Sequence, residues 1–187
     1  MSATHSTRPM SPEELDRWLP GAQVRTHHRR RARADPDALW AAAAAVRLDQ
    51  TRTLGRLVRW RIPGTPGDRR FRDLLSDYPF VVLDEGERWS LSGLAGRIWT
   101  LQRDYPRLDG ADDWCSWDER GTARVLFGHW VEESPDGQSE LVSEARVEGC
   151  DVRAAARVRA LWAVVGRFER LIGAEPLAAA TRQAEQR

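Results

Sequence analysis

The chain contains no lysine; its 29 basic residues are all arginine. That absence excludes Schiff-base and other lysine-dependent chemistry. Cysteine is nearly absent too. Cys115 and Cys150 stand in unrelated contexts without metal-ligand spacing. Two isolated cysteines with no secretory leader ahead of them point to a reducing, cytoplasmic setting. No excess of one charge exists: the net charge is +1, so no global attraction to nucleic acid or to an anionic membrane is expected. No apolar run approaches the ~20 residues of a membrane span. Ala41 to Ala45 reads as a helix interior. No Ser or Cys occupies a recognisable nucleophile elbow, and no internal repeat is present.

The composition, 41% hydrophobic and 30% charged over 187 residues, describes one soluble domain able to bury a core. Residues 1–10 read as a polar, disordered N-terminus, with a single domain over 11–187. Ser11-Pro12-Glu13-Glu14 is a capping box with Pro at the first helical position, predicting a helix to about Leu19. From Gln23 to Ala34 the chain alternates. Val24, Thr26, His28, Arg30, Ala32 and Ala34 share one side of a strand, and Arg25, His27, Arg29, Arg31 and Arg33 form a cationic outer side. Asp35-Pro36 starts a helix to Val46. A second follows over 50–60, and a short one over 68–75.

Beyond Phe80 the period becomes two. Strands are expected over 80–85, over 88–101 (with a bend at Gly93 or Gly96), 114–118, 123–133 and 139–148. Ser134-Pro135-Asp136-Gly137 is the hairpin turn before the last. Asp151 caps a long amphipathic helix carrying Val158, Leu161, Trp162, Val165, Phe168 and Ile172 on one stripe. Gly173 to Pro176 is expected to interrupt it before a final segment to about Glu185. The fold class is α+β: a curved antiparallel sheet wrapped around a long C-terminal helix, with two short helices after the first strand.

Several segments in this order resemble the SRPBCC superfamily (START-like, polyketide cyclase-type helix-grip proteins), in an actinobacterial-type subgroup. They are His28 to Ala34 with Pro36 and Trp40, Leu57 to Pro63, Phe80 to Leu83, Gly93 to Trp99, Gly121 to Arg124, Ser143 to Val147, Trp162, and Ala184-Glu185. The resemblance spans about residues 22–186. It implies a helix-grip fold with a cavity between sheet and C-terminal helix, and a small hydrophobic ligand. Thr122 stands where the pattern has an aromatic, and His129 where it has Phe.

Arg97 shares an apolar side with Trp89, Leu91, Ala95 and Trp99 on alternation. A cation there requires an anion, either a ligand group or a structural partner such as Glu144 or Asp84. His28 and Arg30 lie on the inward side of the first strand. His28 has a pKa suited to proton transfer but no second catalytic member, so a ligand contact or a hydrogen-bonded core histidine are its other readings. Glu144 and Arg146 match a Glu-x-Arg pair of the subgroup. Alternation puts them opposite Leu141 and Val147, leaving two outcomes: a polar cavity wall or an exposed cross-strand pair. Trp89, Trp99, Trp117, Trp130 and Trp162, with Phe127 and His129, are candidate pocket aromatics, and core filling is the other reading of each tryptophan. His27 and His28 point to opposite faces and cannot chelate one ion together.

The expected ligand-binding set is thus His28, Arg30, Trp89, Arg97, Trp99, Trp117, Phe127, His129, Glu144, Arg146 and Trp162. No catalytic residue, metal or cofactor is assigned. The partner expected is a small hydrophobic molecule, with no nucleic acid and no membrane span, and the sequence assigns no oligomeric state. Three functions compete: a binding, carrier or sensor protein; an aromatase or cyclase acting on a polyketide-like chain; and a non-enzymatic interaction module with a filled core.

Overall fold

A computed structural model of the chain describes residues 10–61, 64–100, 102, 105–134, 136 and 138–186, with only the backbone of 61 and 167–172. The architecture is α+β, a single curved, unclosed, antiparallel sheet with helices on both faces. The strands are β1 (Val24–Ala32), β2 (Val81–Gly86), β3 (Trp89–Gly96), β4 (Ala123–Glu133) and β5 (Ser139–Gly149), in the order β1-β5-β4-β3-β2. The helices are α1 (Pro12–Trp18), α2 (Pro36–Ala45), α3 (Thr53–Arg61), α4 (Phe71–Ser76), α5 (Ala111–Ser116) and α6 (Val152–Ala184), with a 3-10 turn over Leu48–Gln50.

Local chemistry fixes the starts of three of the six helices. The Ser11 hydroxyl accepts from the Glu14 amide and Pro12 fills the first helical position of α1. Asp35 and Pro36 repeat that logic at α2, and the Asp151 carboxylate caps α6 through the amides of Arg153 and Ala154. The hairpin between β4 and β5 is closed by the Ser134 amide donating to the Gln138 carbonyl over 2.8 Å.

Strand alternation sorts side chains onto two faces, and each face buries a core. On the concave face, Val24, Leu94, Val125 and Val147 pack with Val158 of α6 and with half-buried Phe127 and Trp162. Further along, Ala32 and Leu141 pack with Leu39, Ala42 and Val46 of the α2 segment and with Leu177, Ala180 and Ala184 of α6. On the convex face, Trp89, Leu91, Leu126, Trp130 and Val142 are covered by Leu15 and Leu19 from the α1 segment and by Trp114 of α5. Met10, inside the expected disordered stretch, is buried in this cluster; residues 1–9 lie outside the described residues.

Several expectations are corrected. Residues 114–118 do not form a strand. Residues 114–116 close helix α5, whose first turn carries Asp112 and Asp113 and whose Trp114 alone is fully buried, a one-sided pattern that a helix turn serves as well as a strand; Trp117 is its extended C-cap. β3 ends at Gly96, whose φ of +137° turns the chain away, so Arg97 leaves the sheet and is exposed. Its apolar neighbours in β3, Trp89, Leu91 and Ala95, belong to the convex core rather than to an inner cavity. The C-terminal helix is continuous, with Pro176 inside it. A mid-helix proline costs ~3 kcal/mol or more. Burial of Leu177, Ala180 and Ala184 against α2 offsets it.

Glu144 and Arg146 occupy the side that alternation gives them, yet they meet neither solvent nor a concave cavity. Both are buried on the convex face, at 5% and 1% exposure. The Arg146 guanidinium donates to Glu144 Oε1 at 2.6 Å, Asp16 Oδ1 at 2.7 Å and the Pro12 carbonyl at 2.8 Å. Glu144 Oε2 lies 3.1 Å from His27 Nδ1. This network ties α1 to β5 and β1. Arg146→Ala leaves the Glu144 carboxylate buried without its main partner, so it should cost ~3–5 kcal/mol in urea unfolding, with Arg146→Met/Glu144→Leu recovering part of that loss. A loss within experimental error for Arg146→Ala would show that α1 is held by apolar packing alone.

Candidate functional site

A cavity of about 240 Å³ opens between the concave face and the helices above it. Its roof comes from Trp40, Ala43 and Ala44 of α2, Phe71 and Leu75 of α4, and Pro176 and Leu177 of α6. Its floor is Val82 of β2, Ser90 and Ser92 of β3, His129 of β4 and Leu141 of β5. The cavity exists because β3 alternates with its polar side inward. Trp89 and Leu91 fill the convex core, so Ser90 and Ser92 face the concave side, and short side chains there leave space under α2 and α4.

The formal charges among the lining residues are Arg72 and Glu85, and they pair with each other: Arg72 Nη2 donates to Glu85 Oε2 at 3.2 Å, with both side chains about half exposed. His129 is the distinctive polar group. Its ring stands edge-on to Phe71 with centroids 6.3 Å apart, and it forms no hydrogen bond to a described residue. Burial among apolar neighbours pushes its pKa down from 6.5 to about 4, so the imidazole is neutral at physiological pH. A neutral imidazole carries one donor and one acceptor nitrogen. The strand registers place His28, Ser143, His129 and Ser90 in one transverse row across the concave face. His28 is two strand spacings, roughly 10 Å, from His129.

His129 alone of the expected ligand-binding residues lines this cavity. Phe127, Trp99 and Trp162 gather in the adjoining apolar cluster on the same face. There Phe127 meets Phe80 edge-to-face at 5.7 Å, and the Arg157 guanidinium lies 5.6 Å from the Trp99 ring. His28 is half-buried on the concave face, and Arg30, in register on that face, is exposed. Trp89, Glu144 and Arg146 belong to the convex side. Trp117 packs there too, donating through its indole N–H to Thr122 Oγ1 at 3.0 Å. Arg97 lies on the surface after β3. Trp40, Phe71, Leu75, Ser90 and Ser92 escaped sequence reading. The detectable signal was the pairing of β3 with β4: Ser90 opposite His129 and Ser92 opposite Phe127 set those four on one face.

Among the described residues no cluster of three or more His, Cys, Asp or Glu could hold a metal ion, and no helix is long and apolar enough to cross a membrane. No protein-family model and no curated protein matches the chain. Among solved structures it is similar to the 1.88 Å crystal structure of a hypothetical protein from Helicobacter pylori, at 10% identity and a TM-score of 0.45, over 98% of this chain and 99% of that one.

The depressed pKa of His129 has a consequence for stability. The unfolded imidazole takes up a proton near pH 6.5, whereas the folded one resists until about pH 4. The contribution is complete above pH 6.5 and is lost as pH falls through that window. In urea titrations at stepped pH, the native chain should lose more stability between pH 6.5 and 4 than the His129→Phe variant. Parallel curves for the two proteins would mean that His129 protonates freely in the folded state.

Proposed function

We propose that this protein binds a small, uncharged, largely apolar molecule in the cavity between the concave sheet face and α2, α4 and α6, with a hydroxyl or carbonyl of the ligand facing His129. The observation that carries this reading is a neutral imidazole, without a hydrogen bond to a described residue, on the floor of a chamber whose walls are mainly apolar, with Ser76, Ser90 and Ser92 as the other uncharged polar groups. Apolar walls supply affinity, and one or a few placed polar groups orient the ligand. Pairing of Arg72 with Glu85 leaves no surplus charge in the lining, which disfavours a carboxylate or ammonium ligand.

The scaffold supports the same reading. Placement of β1 beside β5, helices between β1 and β2, and a long C-terminal helix across the concave face agree with a helix-grip domain of SRPBCC type. Binding is favoured over cyclase chemistry because an imidazole with a pKa of about 4 is a weak base at neutral pH, the one lining carboxylate, Glu85, is paired with Arg72, and no second histidine lines the cavity. It is favoured over a filled interaction module because Ser90 and Ser92 leave the chamber open.

1-Naphthol, a neutral aromatic alcohol, and the anion 1-naphthoate separate the possibilities by fluorescence titration. Naphthol should bind, and Ala44→Trp should abolish binding by filling the chamber. His129→Phe should weaken it roughly twofold to tenfold, the worth of one hydrogen bond. Naphthoate should bind more weakly than naphthol. Equal binding of the two, or naphthol binding untouched by Ala44→Trp, would remove the cavity from the account.

A further inference from the structure

The net charge of +1 conceals an uneven distribution. Residues 47–72 carry eight arginines against two acidic residues, Asp49 and Asp68; Arg47, Arg69 and Arg72 pair with Asp49, Asp77 and Glu85, so the excess falls on α3 and its start. Helix α3 lies inside that stretch and has no acidic residue at all. Leu57 and Trp60, three positions apart and therefore neighbours on the helix surface, are 43% and 63% exposed. Arg52, Arg56 and Arg59 around them are exposed as well.

The helix is held with this side turned outward. Leu54 and Val58 are half-buried on the other side. Gly55 sits so close to the Leu48–Gln50 turn that a Cβ there would lie 2.2 Å from the Leu48 carbonyl oxygen. The Glu175 carboxylate of α6 accepts from the Thr53 amide at 2.9 Å and the Leu54 amide at 3.0 Å, clamping the start of α3. Rolling the helix to bury Trp60 would break these contacts.

We propose that α3 docks the protein on an anionic lipid surface, with Trp60 and Leu57 entering the headgroup boundary and Arg52, Arg56 and Arg59 meeting lipid phosphates. Indole rings settle at headgroup depth, and guanidinium groups pair with phosphate oxygens. A helix that docks in a protein groove presents a longer series of apolar anchors at i, i+3, i+4 and i+7. Here two apolar side chains stand among arginines, which fits a shallow, phosphate-rich surface better. Nine residues cannot span a bilayer, so the contact is peripheral. The proposal stands independently of the cavity reading, although Glu175 clamps α3 while the next residue, Pro176, lines the cavity.

Co-sedimentation of the full chain with vesicles tests it. Binding should occur with an equimolar mixture of phosphatidylcholine and phosphatidylglycerol, fail with phosphatidylcholine alone, and fade as salt is raised. Arg56→Ala and Arg59→Ala should each weaken it roughly fivefold. Trp60→Ala should reduce it further at unchanged charge, and Arg17→Ala, at an exposed side chain of α1, should leave it intact. Circular dichroism of each variant checks folding. The proposal is overturned by no sedimentation with anionic vesicles at low salt, by binding indifferent to Trp60 and Arg56, or by equally Trp60-dependent binding to soluble polyglutamate, which would assign the surface to an acidic polypeptide.

Discussion

The pairing of β1 with β5 is the constraint on which the rest of the structure depends. It joins segments more than a hundred residues apart, from Val24 opposite Val147 to Ala32 opposite Ser139. Closing so long a loop costs conformational entropy that only burial on both faces of the new pair can repay. Both faces are used. Val24 and Val147 enter the concave core against α6, while Arg25 and His27 are set beside Arg146 and Glu144 on the convex side. Because α1 immediately precedes β1, the same pairing brings Asp16 and the Pro12 carbonyl to the Arg146 guanidinium.

The two faces take different chemistry from one alternation. The convex face holds the bulky side chains of β3 and β4, with Trp89 directly opposite Trp130, and is sealed by α1 and α5. The concave face receives the smaller complement, Ser90, Ser92 and His129 among them, and is roofed rather than filled by α2, α4 and the Pro176 region of α6. A dense outer core therefore underwrites a looser inner one. Partial burial of His129 without a counter-charge follows from that arrangement and favours its neutral form.

Features set by neighbouring residues were legible in the sequence. The caps at Ser11, Asp35 and Asp151, the alternation of β1, β4 and β5, and the antiparallel hairpin of β4 with β5 depend on contacts within a few positions. Features set by which face meets which layer were not. The apolar side of β3 was expected to line a cavity, but period-two alternation cannot say which side faces α6, and a second core beneath α1 claimed Trp89 and Leu91. Arg97 was misplaced because one glycine at positive φ ended the strand before it. Pro176 suggested a break, yet tertiary burial on either side carried the helix through. The serines and α4 residues around His129 become neighbours only through the registers of β3 with β4 and the crossing of α4.

Native mass spectrometry of the purified protein, followed by denaturing extraction, decides whether the concave chamber holds a ligand. The expected result is a mass above that of the bare chain, from a neutral and mostly apolar molecule that is absent from Ala44→Trp protein. A bare chain mass that does not shift when neutral aromatic alcohols are added in excess would contradict it, as would a bound species that Ala44→Trp retains.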